Sequence, residues 1–105
     1  MARDGLEDFL REKLAFLGLL PHEYEEYLEY WLPKLQPNDF TFIHFEGGEY
    51  DSRYPLTITP EPDCLLRVHT AFKAASGRER IAPQALEPFE RHGFAVIEWG
   101  GTVLN

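Results

Sequence analysis

Two hydrophobic rhythms divide the chain. Leu6, Phe9, Leu10, Leu14 and Leu17 recur at the i, i+3, i+4 spacing that lines one face of a helix. Asp4 stands at an N-cap position with Glu7 three residues later, the spacing of a capping box, and Gly18 suits the left-handed residue that closes a helix. These signals predict a first helix over about 5–17. Pro21 opens a second, because a first-turn proline lacks only an N–H that would be unpaired there anyway. Tyr24, Tyr27, Leu28, Trp31, Leu32 and Leu35 form its apolar stripe, and Glu23, Glu25 and Glu26 favour the positive end of its dipole. Pro33 ends or kinks it. The short link Leu19-Leu20 predicts that the helices pack as a hairpin over about 5–35.

From Phe40 the period becomes two. Phe40, Phe42 and His44 alternate with Thr41, Ile43 and Phe45, a strand with two apolar faces, ended by Gly47-Gly48. Leu56-Thr-Ile-Thr59 reads as a short strand stopped by Pro60 and Pro62. Leu66, Val68, Thr70 and Phe72 alternate with Arg67, His69, Ala71 and Lys73, the cleanest half-buried strand. Residues 79–82 fit a short edge strand, Pro83 to Arg91 one helical turn, and Phe94 to Trp99 a last strand that Gly100-Gly101 loosens. No crossover helix separates these strands. The prediction is an α+β single domain over 1–105: an N-terminal helical hairpin packed on a small sheet of about four strands over about 39–101, antiparallel or mixed and mostly antiparallel.

A chain of 105 residues, 44% hydrophobic and 14% aromatic, holds one core and is not disordered in character. Its 18 acidic against 10 basic residues give a net charge of −8, the wrong sign for displacing counterions from nucleic acid. No apolar stretch approaches the length of a bilayer span, so no membrane insertion is expected. The first ten residues hold Arg3, Asp4, Glu7 and Asp8 and so do not read as a signal peptide. A cytoplasmic location follows on that reading, and an extracytoplasmic one if the chain is cut from a longer secreted parent. Cys64 is the single cysteine, so it forms no internal disulfide; beside an apolar run it reads as a buried, inert thiol.

Candidate chemistry is sparse. His22 and Glu26 share a helical face at the i, i+4 spacing of zinc-protease helices, but the second histidine is missing and a solvated acidic turn accounts for them. His22, His44, His69 and His92 lie more than twenty residues apart, so only tertiary folding gathers them into a metal or proton-transfer site. Arg67 and Glu98 form a cross-strand ion pair if their strands are neighbours. Asp63, beyond Pro60-Glu-Pro62, and Trp99 complete the set His44, His69, Arg67, Asp63, Glu98 and Trp99 around which any site would be built. Walker loops, dinucleotide-binding glycine patterns and nucleophile elbows are absent, and no cofactor is implied.

Several segments resemble a family of small uncharacterised bacterial domains. They are Phe16-Leu-Gly-Leu19, Tyr30-Trp-Leu-Pro-Lys-Leu35, Leu56-Thr-Ile-Thr-Pro-Glu-Pro-Asp63 with Leu66-Arg-Val68, and Arg91-His-Gly-Phe94 running into Glu98-Trp-Gly-Gly101. Members similar to it often form the C-terminal part of secreted or lipid-anchored proteins. The resemblance implies a single domain and transfers no activity. The sequence therefore reads as a non-enzymatic protein-interaction or accessory module, binding a protein partner through an exposed sheet edge or a second copy through an edge or through the helical face. The alternative is a small enzyme or a ligand- or metal-binding domain using His44, His69, Arg67 and Glu98.

Overall fold

A computed structural model describes residues 1–47, 53–77 and 84–104. Its elements run α1 (Arg3–Leu17), α2 (Pro21–Leu35), β1 (Phe40–Phe45), β2 (Cys64–Ala75) and β3 (Ala95–Leu104). The class is α+β, with two helices and a sheet ordered β1-β2-β3.

The helix periodicity translates directly into burial. Leu6, Leu10 and Leu14 of α1 and Tyr27, Leu28, Trp31 and Leu35 of α2 enter one core with Leu66, Val68 and Phe72 of β2. Phe9, Leu17, Tyr24 and Leu32 pack at its margin. Gly18 ends α1 with φ 113°, a left-handed conformation that an L side chain rarely adopts, and the N–H of Leu19 returns to the Leu14 carbonyl at 3.1 Å. At the start of α2, Glu23 accepts a hydrogen bond from the Leu20 N–H at 2.7 Å, half of a capping box. Arg11 of α1 pairs with Glu25 of α2 and lies 5.7 Å from the Tyr24 ring centroid.

The predicted start of α1 is corrected. Asp4 lies inside the helix and Ala2 is the N-cap, without a side-chain cap bond. The residues before the helix are fixed instead by β-pairing. Ala2 bridges Phe40, the Thr41 N–H donates to the Met1 carbonyl at 2.8 Å, and the Arg3 N–H donates to the Asp39 carbonyl at 2.9 Å. That pairing sets the first turn upstream of where an Asp4 cap would put it.

The number of strands is also corrected: among the described residues the sheet has three, not about four. It is mixed, one of the two arrangements expected. β1 runs antiparallel to β2, from Phe40 opposite Ala75 to Phe45 opposite Thr70. β3 runs parallel to β2, from Ala95 beside Cys64 to Leu104 beside Lys73. A parallel pair needs a long crossover, usually a helix. Here the described part of that crossover, residues 84–93, carries no helix or strand, so the predicted helical turn is absent from it. Residues 56–59 are likewise irregular and Leu56 is exposed, so no strand forms there. The predicted edge strand over 79–82 lies outside the described residues.

Gly100 and Gly101 do not loosen β3; they stay within it. A Cβ on Gly101 would fall 2.6 Å from Trp31 and 3.0 Å from Phe72, so only glycine lets β3 run this close beneath the core. Trp31 and Phe72 rings meet there with centroids 4.8 Å apart. The Trp31 indole N–H is buried with no hydrogen-bond partner among the described residues. Tyr27, fully buried, donates its hydroxyl to Thr70 Oγ1 at 2.6 Å, and burial raises its phenol well above the ordinary range.

Candidate functional site

Register decides which candidate residues meet. Val68 and Phe72 of β2 face the helices, so Arg67, His69 and Lys73 occupy the opposite face. His44, opposite the intervening Ala71, shares that face, as does Glu98, beside Arg67. The structure thus places His44, His69, Arg67 and Glu98 together on the side of the sheet away from the helices. Trp99, one residue on, turns to the helix side and packs 5.3 Å from the Tyr27 ring and 6.2 Å from the exposed Tyr30 ring.

Sharing a face does not make these four groups converge. Arg67 reaches Glu98 at 3.4 Å and donates to the Tyr54 carbonyl, and its side chain is only 6% exposed. It ties two strands and a loop together. The His69 ring lies 3.3 Å from Thr102 Oγ1, toward β3, whereas the exposed His44 lies 3.9 Å from Glu46, off the end of β1. Arg67 and His69 help line a shallow crevice of about 220 Å³ that includes neither His44 nor Glu98.

Asp63 is occupied by main chain. It accepts the Phe94 N–H at 2.6 Å, just before β3, and its carboxylate lies against Gly93, which has φ 57°. A Cβ at Gly93 would strike that carboxylate. Half-buried Cys64 lies 3.4 Å from the His92 carbonyl at the same joint. His22 and Glu26 are exposed on α2. Among the described residues no group of three His, Cys, Asp or Glu side chains comes together to hold a metal ion.

Two residues that spacing did not single out organise the molecule. Gln84 uses its side-chain amide as a strand would use its backbone. Its Oε1 accepts the Phe45 N–H at 2.9 Å, and its Nε2 donates to the Phe45 carbonyl at 2.6 Å. Arg91 donates to the Gly18 carbonyl at 3.1 Å and pairs with Glu23, joining the end of α1 to the start of α2. Burial alone would raise the Glu23 carboxyl; the hydrogen bonds from Arg91 and Leu20 and the Arg91 charge outweigh it and hold the carboxyl below its ordinary value. Between these anchors Leu86 and Phe89 pack on the core. Residues 84–91 thus act as a strap from the edge of β1 to the helix junction.

The sheet edges are the remaining surface with chemistry. The Glu46 N–H donates to the His69 carbonyl at 2.7 Å, so Phe40, Phe42 and His44 direct their main-chain groups at β2. Thr41, Ile43 and Phe45 direct theirs outward. On β3 the Phe94 carbonyl accepts the Cys64 N–H at 3.3 Å, and the same alternation turns the N–H and C=O of Ala95, Ile97, Trp99, Gly101 and Val103 away from β2. Among the described residues these groups have no main-chain partner. Val103, 55% exposed, and Leu104 add apolar side chains to that edge.

No helix of the described residues is long and apolar enough to cross a membrane. Comparison with family models, with curated proteins and with solved structures found no match.

Proposed function

We propose that the chain is a non-enzymatic interaction module in which a helical hairpin backs the sheet and the outer edge of β3 is the binding element. Its occupant is a second copy of the chain. The observation that carries this is the row of main-chain groups, without a main-chain partner among the described residues, on a ten-residue edge strand. The same edge of a second copy, running antiparallel across a twofold axis, supplies the complementary groups and joins the two sheets into one. β3 suits that role because Glu98 is its one charged residue and is engaged by Arg67. The net charge of −8 opposes association elsewhere on the surface, so pairing strengthens as salt screens it. The same acidity argues against nucleic acid as a partner.

Sedimentation equilibrium at rising protein and salt concentration tests this. The expected result is a reversible dimer that Val103→Lys weakens without unfolding the chain. A strict monomer at the highest concentrations removes self-association.

A second reading, a small enzyme or ligand-binding domain, draws on the shared face of His44, His69, Arg67 and Glu98. The binding-module reading is preferred because Arg67 already serves Glu98 and the Tyr54 carbonyl.

A further inference from the structure

The outer edge of β1 differs from that of β3 because it is filled at two of its three outward positions. The Met1 main chain holds Thr41 through both groups, Met1 N donating to the Thr41 carbonyl at 2.6 Å and the Met1 carbonyl accepting the Thr41 N–H. The Gln84 amide holds both main-chain groups of Phe45. Between them the N–H and C=O of Ile43 point outward without a partner among the described residues. They open into a cavity of about 400 Å³ against this edge, within the size range of small-ligand sites.

Phe9 of α1, Ile43 and Leu86 of the strap give this slot apolar walls. The charged side chain that lines it from the helix side is Lys13, and no carboxylate lines it, in a chain that carries 18 acids. Lys13 lies 5.8 Å from the Phe9 ring centroid and has no ion-pair partner among the described residues. One open donor and acceptor, apolar walls and a lysine at the rim define a narrow specificity. We infer that the slot binds a short extended peptide of another protein. One peptide residue pairs with Ile43 and sends an apolar side chain between Phe9 and Leu86, and an acidic neighbour meets Lys13. The filled positions at Thr41 and Phe45 stop a long strand from adding here and restrict the ligand to a few residues.

The slot is independent of the β3 edge, and the test keeps them apart. The probe is a fluorescein-labelled heptapeptide with a central valine flanked by threonine and aspartate, titrated into the full chain by anisotropy and by amide NMR. Saturable binding is expected, with shifts centred on Ile43 and the Gln84 side chain. N-methylation of the central valine should weaken it roughly tenfold by removing the main-chain pairing. Replacing the aspartates with lysine should weaken it too, and Lys13→Glu should reverse that preference. Absence of saturable binding, or indifference to N-methylation, overturns the slot. So do shifts confined to β3, which would leave the dimer reading standing.

Discussion

The two outer strands of this sheet are managed in opposite ways. β1 is six residues long and its free side is guarded at one end by the Met1 main chain and at the other by the Gln84 amide. β3 is ten residues long and its free side has no guard among the described residues. Natural sheets blunt their edges because an open ladder templates pairing with other chains. Here the blunting is spent on the short edge and withheld from the long, nearly uncharged one. The contrast teaches that exposure of β3 is not a general looseness of this fold, since the same molecule closes an edge with a side chain where it does so.

The contrast can be broken or sharpened by substitution, in falling order of effect on stability. Gly101→Val attacks the seat of β3: the new side chain meets Trp31 and Phe72, and overpacking should cost about 1–3 kcal/mol in urea unfolding. Retention of wild-type stability would show that β3 does not run beneath Trp31 as described. Gln84→Ala removes two hydrogen bonds from the β1 edge and should cost about 1–2 kcal/mol. It should also raise self-association, since it makes the guarded edge resemble the open one; sedimentation of the variant checks this.

Glu23 is held below its ordinary value of 4.5 when folded, so the stability it contributes is present above that value and is lost as pH falls through the depressed one. Glu23→Gln should therefore flatten the fall in Tm between neutral and strongly acidic pH, and a fall as steep as in the unaltered chain would show that the Arg91 contact does not hold the strap. The smallest effect on folding belongs to Val103→Lys, expected within about 0.5 kcal/mol because the site is exposed. If it destabilises as much as Gly101→Val, Val103 is a core residue and not part of an open edge.

Much of this architecture was legible in the residues, and what was not follows a pattern. The helices declared themselves because burial of Leu6, Leu10, Leu14, Leu28 and Trp31 repeats at short range. β2 did so through strict alternation from Leu66 to Phe72. The direction of β3 was not legible, because without a crossover helix in the pattern an antiparallel and a mixed sheet are both open, and residues 84–93 of the connection carry no helix or strand to decide between them. Gly100-Gly101 reads as loosening the tail of the strand because the close approach of Trp31 has no local signature. The same holds for the site. Arg67 and Glu98 were expected to pair on neighbouring strands and do, yet Asp63 is bound to main chain and Trp99 belongs to the other face. Gln84 and Arg91 were missed because each bonds to backbone more than thirty residues away, and such contacts leave no spacing to read.

The parallel ladder also sets an order of events. Each β2 residue from Cys64 to Lys73 is paired with a β3 residue about thirty positions later, whereas β1 and both helices precede β2. On a translating ribosome the Leu66–Phe72 strand therefore emerges with its far side unsatisfied and waits for a segment not yet synthesised. For that interval the nascent chain carries on β2 the kind of open border that the finished protein carries on β3, so slowed translation across 76–94 should favour mispairing between neighbouring nascent chains.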